Sequence, residues 1–468
     1  MSNANVPAGH RANGAADHDA GSVFYVFLLA GTAALGGLLF GYDTAVIAGA
    51  IGYLKTFMHL TDNGEGWAVA NVLLGCAIGA AFIGPLADRF GRKRMLVLTA
   101  ILFAVSAVTS ALPNTLWPFV AARMLGGLAV GAAALLSPAY IAEVAPARMR
   151  GSLVTLCQIA IISGMVVVSI VNWQIARAGD EAWNVAMGWR WMFASETLPA
   201  VFFLVCLLFV PESPRWLVKR GRVDEARAVL ARISGTAEAE QEIAEIQQAM
   251  QVEQGTWREL LSPGYRKILL LAITLAVLQQ VTGINAIVYY TPKIFASAGT
   301  GDTSALLRTA AMQGVNLAVT VVALLVIDRL GRKPLLLCTS AAMFVALVFL
   351  AVMFWKQPSP NLVFFGVLAY IAAFAIGMGP VVWVVLAEIF PNRTRGLAMG
   401  AATVALWLAD FLVSQTAPML YERTGMSTAF ALYAIMCVVS FVVVARFLPE
   451  TRGKSLEEIE RELVFSRE

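Results

Sequence analysis

Residues 142–151 read AEVAPARMRG, and residues 387–396 read AEIFPNRTRG. The second stretch repeats the first at an offset of 245 residues. Two neighbouring signals recur with it: DRFGRK at 88–93 returns as DRLGRK at 328–333, and PES at 211 returns as PET at 449, offsets of 240 and 238 residues. A repeat of about half the chain is far longer than the roughly 20–50 residues of a solenoid unit. The chain is therefore two copies of one large unit, and composition says what kind. Of the 468 residues 59% are apolar and 14% are charged, against roughly 25% charged in a soluble domain.

That balance belongs in a lipid bilayer. Apolar runs near the roughly 20 residues that cross the hydrocarbon occur at 24–51, 67–86, 95–112, 117–140, 151–173, 191–210, 267–292, 309–328, 335–355, 361–388, 396–420 and 427–448. Six fall in each copy, and an even number gives both copies the same orientation, the parallel arrangement of two six-helix halves. The predicted fold is thus an all-α membrane protein of twelve transmembrane helices in two pseudo-symmetric bundles. Its expected parts are a disordered tail over 1–22, a first bundle over 23–210, a helical linker over 211–266, a second bundle over 267–448 and a tail over 449–468. The linker carries apolar residues at helical spacing (Ala226, Val229, Leu230, Ile233; Ile243, Ile246, Met250), which predicts amphipathic helices beneath the bundle.

Orientation follows from Lys and Arg. The loops carrying the repeated motifs hold eleven basic residues, and the opposite loops hold seven in longer stretches. The motif loops and both termini are therefore expected in the cytoplasm, as in a multi-pass protein of a bacterial inner membrane. Residues 1–22 lack the short apolar core of a signal peptide. The net charge of +4 is spread over loop ends and argues for no nucleic-acid partner. The five cysteines all lie in predicted spans without a CxxC pair, which predicts neither disulfide nor metal. No nucleophile, phosphate loop or cofactor motif stands out, so no enzyme is expected.

Ionisable groups inside a bilayer are costly and each needs a reason. Asp43 lies in LLFGYDTAVIAGA of the first span and Arg123 in AARMLGGLAVGAA of the fourth. Packing of those two helices through Gly36, Gly41, Gly49, Gly126, Gly127 and Gly131 would let them form an ion pair. Such a pair is either a static bridge or a proton switch, because moving the Arg away lets the acid take a proton. The second copy has no such pair. In its place stands LQQVTGINAIVYY, with Gln279, Gln280 and Asn285.

Each amide offers donors and an acceptor, which suits an uncharged polyhydroxylated ligand. Gln158 in the fifth span and Asn316 in the eighth add to the set. Buried amides also serve as interhelical glue, but three within seven residues favour a ligand. Trp383 and Trp407 lie mid-span rather than at the interfaces where Trp is usual, and a sugar presents apolar C–H faces to such rings; either alone also reads as packing. Gly283 is placed to loosen the seventh helix, and Gly377, Gly379 and Pro380 to break the tenth.

GYDTAVI (41–47), YIAEVAPARMRG (140–151), PESPRWL (211–217), QQVTGIN (279–285), the two DR(F/L)GRK motifs, AEIFPNRTRG and LPETRGKSLEEIE (448–460) together resemble the sugar porters of the major facilitator superfamily. The resemblance runs from about residue 24 to 460, nearest the bacterial xylose/proton and galactose/proton symporters. It implies the major facilitator fold, with Asp43 as proton site and Arg123 as its partner; passive relatives have Asn in the acid position. The sugar would be held by Gln158, Gln279, Gln280, Asn285, Asn316, Gly379, Trp383 and Trp407, with Phe40 and Tyr289 lining the site. A cytoplasmic gate that locks the outward-open state would comprise Asp88, Arg92, Glu143, Arg150 and Glu212 in one half and Asp328, Arg332, Glu388, Arg395 and Glu450 in the other.

Three positions depart from the family pattern. Met165 and Leu406 stand where relatives carry amides, and Asp410 stands three residues after Trp407, where a sugar-binding Asn is common. Asp410 either acts in its protonated form like Asn or is a second titrating group, and Glu196, at the outer start of the sixth span, is a further proton-relay candidate. The expected activity is proton-coupled symport of a monosaccharide (a hexose or pentose such as glucose, galactose or xylose) into the cell by alternating access, by a monomer in the lipid bilayer. The alternatives are a passive uniporter, a proton/inositol symporter and a non-transporting sugar sensor.

Overall fold

The structure, a computed structural model, describes residues 22–250, 255–452, 454 and 458, and only the backbone of Asp328 and Asn392. Of the tails expected over 1–22 and 449–468, residue 22 and residues 449–452, 454 and 458 are described, and the rest lie outside the described residues. Every described element is a helix. A bilayer offers no water to backbone N–H and C=O groups, so a spanning segment must satisfy them within itself.

In the first half the helices are α1 (Val23–Phe57), α2 (Asp62–Phe90), α3 (Arg92–Ser110), α4 (Leu116–Val144), α5 (Arg150–Ala178) and α6 (Glu181–Leu208). The second half holds α7 (Pro263–Ser297), α8 (Asp302–Leu330), α9 (Arg332–Lys356) and α10 (Pro360–Glu388). The helix that follows, Asn392–Phe447, is 56 residues long, roughly 84 Å at 1.5 Å per residue. That is nearly three hydrocarbon thicknesses. Gly425 interrupts it with φ 83° and ψ 157°, so it is two spans, α11 (392–424) and α12 (426–447). The twelve expected spans are present. Side-chain caps start two of the spans outside their apolar stretch: Ser22 accepts from the Tyr25 N–H and Thr61 from the Gly64 N–H.

Glycine seams hold the first half together, but not the seam the sequence suggested. Gly127 faces the Val72 carbonyl, and Gly75 and Gly79 face the carbonyls of Met124 and Leu128. The close backbone approach is thus between α2 and α4. Gly131 of α4 also packs on α2, against Cys76, while Gly41 and Gly49 of α1 pack on Ile161 and Asn172 of α5. Only Gly36 and Gly126 meet across the α1–α4 seam, against Ser137 and Asp43. The reason is steric: this seam has to accommodate the Asp43 and Arg123 side chains, so its helices cannot approach to backbone contact.

Between the halves lie four short helices, Pro214–Lys219, Val223–Ser234, Thr236–Met250 and Trp257–Leu260. Trp216, Leu217, Val218, Ala226, Leu230, Ala239 and Ile243 form a small core of their own. Trp216 Nε1 donates to the Asp88 carbonyl at 3.0 Å, which ties this layer to the end of α2.

Candidate functional site

Asp43 and Arg123 meet at the α1–α4 seam with essentially no exposure, 0% and 1%. Arg123 Nη1 donates to Asp43 Oδ1 at 2.5 Å, and Nη2 donates to the Asp43 backbone carbonyl at 2.9 Å. A Cβ on Gly126 would stand 2.9 Å from Asp43 Oδ1, so glycine makes room for the carboxylate. The Phe193 ring lies 5.3 Å from the guanidinium. Arg123 Nε has no hydrogen-bond partner. Glu196 of α6, 1% exposed, faces the same pair with its carboxyl group against that of Asp43. Two carboxylates therefore lie beside one guanidinium in a dry seam. Removing Arg123 would leave them as uncompensated buried charge, at a cost of about 3–5 kcal/mol.

The second half places its amides around two broken helices. α7 is interrupted at Thr282–Gly283, where Gly283 takes φ 90°, and α10 at Gly377. The break in α10 starts a new helical turn at Met378. Gln279 Nε2 donates to two carbonyls of that turn, Met378 at 2.6 Å and Gly379 at 3.2 Å. Gln280 Nε2 donates to Gln279 Oε1 at 3.3 Å, and Asn285 Nδ2 donates to Gln280 Oε1 at 3.1 Å. The chain ends on α11, where Asp410 Oδ2 accepts from Asn285 Nδ2 at 2.6 Å and Oδ1 accepts from Ser414 Oγ at 3.0 Å. Three residues away, the Trp407 ring meets Phe40 of α1 across the two halves, with centroids 5.8 Å apart. The Trp407 indole N–H is buried without an acceptor. Such a donor is costly unless something fills its place.

Gln158, Trp383 and Asn316 are half-buried. Asn316 bonds Gln313 at 3.2 Å and not the α7 cluster. Tyr289 is buried beside the amides.

The repeated motifs build the same clamp twice. Gly91 and Gly331 turn the chain at φ 103° and 87°, a backbone that favours glycine. Glu212 caps the N-terminus of α3, accepting from the N–H groups of Arg92 and Lys93 at 2.8 and 3.0 Å. Glu450 does the same for α9 through Arg332 and Lys333 at 3.0 and 3.1 Å. Arg92 pairs with Glu143 at 3.1 Å and Asp88 at 2.8 Å; Arg332 pairs with Glu388 at 2.9 Å. Ser213 donates to Glu143 at 2.5 Å and Thr451 to Glu388 at 2.6 Å. Burial works against the Glu450 charge, yet the N–H groups of Arg452, Arg332, Lys333 and Thr451 hold its carboxyl below the usual glutamate range. Arg150 is exposed and pairs with no acid among the described residues, Arg395 caps the Phe390 carbonyl, and the Asp328 side chain lies outside the described ones. Among the described residues, Arg92 with Asp88 and Glu143, and Arg332 with Glu388, pair within one half, while the linker joins Lys219 to Asp88 and Glu259 to Arg393.

The opposite end is bridged between halves by residues that sequence reasoning passed over. Glu65 of α2, 2% exposed, accepts from Lys293 of α7 at 3.2 Å on each oxygen and from Lys55 of α1 at 2.6 Å. Lys293 also pairs with Glu422 at 3.0 Å and Lys55 with Asp62 at 3.1 Å. Gln415 of α11 donates to Asn63 at 3.0 Å, and the Trp67 and Phe411 rings lie 5.6 Å apart. The available signal was weak: Glu65 and Lys293 each flank an apolar run by one or two residues.

The family of sugar (and other) transporters matches residues 29–463. The chain is 40% identical to an arabinose-proton symporter of Bacillus subtilis, over 94% of this chain and 95% of that protein. It is also 40% identical to a D-xylose-proton symporter of Escherichia coli, over 93% and 95%, and to a glucose transport protein of Synechocystis, over 94% and 97%. Among solved structures, the inward open conformation of the xylose transporter XylE from E. coli superposes with a TM-score of 0.85 at 39% identity, covering 94% of this chain and 100% of that one. The partially occluded inward open form of the same transporter gives 0.84 at 38% identity, covering 92% and 100%. With the family matched across nearly the whole length and the twelve-helix fold reproduced, the chain belongs to the sugar transporter family of the major facilitator superfamily.

Proposed function

We propose that this protein carries a monosaccharide, a hexose or pentose, into the cell together with a proton. The observation that supports this reading most directly is the buried Asp43–Arg123 pair beside Glu196. With all three groups ionised the set carries one net negative charge in the membrane; one added proton neutralises it. A proton from outside loosens the hold on Arg123, the sugar binds between the halves at Gln158, Gln279, Gln280, Asn285, Asn316, Gly379, Trp383 and Trp407, with Phe40 and Tyr289 beside it, and the opposite end opens. The motif loops and both termini face the cytoplasm in this scheme. The ion-paired end at Glu65 is then the outer gate, shut in this conformation, and the duplicated clamps belong to the inner gate. One proton crossing about 100 mV supplies roughly 2.3 kcal/mol, a sugar gradient of about 50-fold.

Asp43→Asn tests the reading. Uphill uptake of labelled sugar and the accompanying alkalinisation of the medium should be lost, while exchange of sugar down its gradient persists. Accumulation surviving in that variant would remove Asp43 from the proton path. Sugar uptake by the unaltered protein without any pH change would make it a uniporter.

A further inference from the structure

The amide chain of α7 runs in one fixed sense. Gln279 gives its N–H groups to the Met378 and Gly379 carbonyls, so its oxygen is left to accept from Gln280. Gln280 therefore turns its own oxygen toward Asn285 and accepts from Nδ2. An amide carries two N–H donors and one carbonyl. The second Asn285 donor goes to Asp410 Oδ2 at 2.6 Å. A carboxyl group keeps an acceptor oxygen in either protonation state, so Asp410 can hold that N–H throughout a proton cycle. The valence that Asn285 has left is Oδ1, on a half-buried side chain.

We propose that Asp410 is a specificity-determining residue: by taking the second Asn285 N–H it turns this end of the site into an acceptor-only pole, which selects a substrate hydroxyl that donates there. The free donors stand elsewhere, at the second hydrogen of Gln280 Nε2 and at the unpartnered Trp407 Nε1. A sugar hydroxyl can donate or accept, so the polarity of the protein groups decides which role each ring position plays. This inference rests on the reading of the protein as a monosaccharide carrier.

The test is equilibrium binding to the purified full chain of D-glucose, D-xylose and their monodeoxy and monofluoro analogues at each hydroxyl. Fluorine can accept weakly but cannot donate; hydrogen does neither. In the unaltered protein one ring position should lose affinity alike with fluorine or hydrogen, about tenfold. In Asp410→Asn an amide donor becomes available, and the fluoro analogue at that position should then bind several-fold better than the deoxy one. Two results would overturn the proposal: fluoro analogues that bind as well as the parent at every position, or a fluoro-to-deoxy ratio that Asp410→Asn leaves unchanged. The first comparison needs no variant and holds even where Asp410→Asn fails to fold. If the unaltered chain binds neither parent sugar, the carrier reading itself falls and this inference with it.

Discussion

Glu65→Gln isolates the outer lock. Glu65 and Lys55 belong to the same half, so of the two ion pairs on Glu65 only the one with Lys293 resists separation of the halves. The substitution keeps a hydrogen bond and removes its charge. The Lys293 ammonium still donates to the amide, so what is lost is the charge–charge part of the pair, between about 0.2–1 kcal/mol for an exposed ion pair and about 3–5 kcal/mol for breaking a buried one. Lys293 is 23% exposed and keeps Glu422 as a partner, so water and the remaining acid reduce the loss to about 1–1.4 kcal/mol. The odds of an open outer face should then rise roughly five- to tenfold. Labels at the exposed residues Thr115 and Ser304, on the outer ends of α4 and α8 and so in different halves, would read this as a longer distance population in a cysteine-free background. Lys293→Met should match Glu65→Gln, and the double variant should add little, since both remove one interaction. Lys55→Met should leave the populations alone. Unchanged odds in Glu65→Gln, or full additivity with Lys293→Met, would refute this account of the lock.

Trp407→Phe keeps a ring against Phe40 but removes the orphaned indole N–H. Sugar binding should weaken about three- to tenfold while the thermal midpoint of the empty protein stays level or rises; a lower midpoint with unchanged affinity would make Trp407 a packing residue. Glu450→Gln should destabilise the α9 clamp with a defined pH dependence. The folded carboxyl lies below its ordinary value of 4.5, so its contribution is complete above that pH and is lost as pH falls through the folded value. The midpoint difference between the two proteins should be constant near neutrality and shrink below about pH 4; a gap that persists in acid would count against the charge of Glu450.

The sequence by itself determined the twelve helices, their division into two copies and the breaks in α7 and α10. The physical reason is local: in lipid a backbone must bond within its own segment, so apolar run length, glycine and proline decide each span without reference to distant residues. It also singled out Asp43, Arg123 and the α7 amides, because polar groups in an apolar run are conspicuous whatever they touch. Tertiary structure decided what those groups meet. The α1–α4 seam holds a salt bridge, and most of the glycine contacts lie instead between α2 and α4 and between α1 and α5, which depends on helix rotation about its axis and not on composition. Asn285 and Asp410, 125 residues apart, share a hydrogen bond, and Glu65 and Lys293, 228 apart, share an ion pair. Glu65 is an acid in the first turn of α2, and nothing in its neighbourhood along the chain records that a lysine of the other half lies against it. Such pairings follow from how two six-helix bundles dock, and only the folded molecule specifies that.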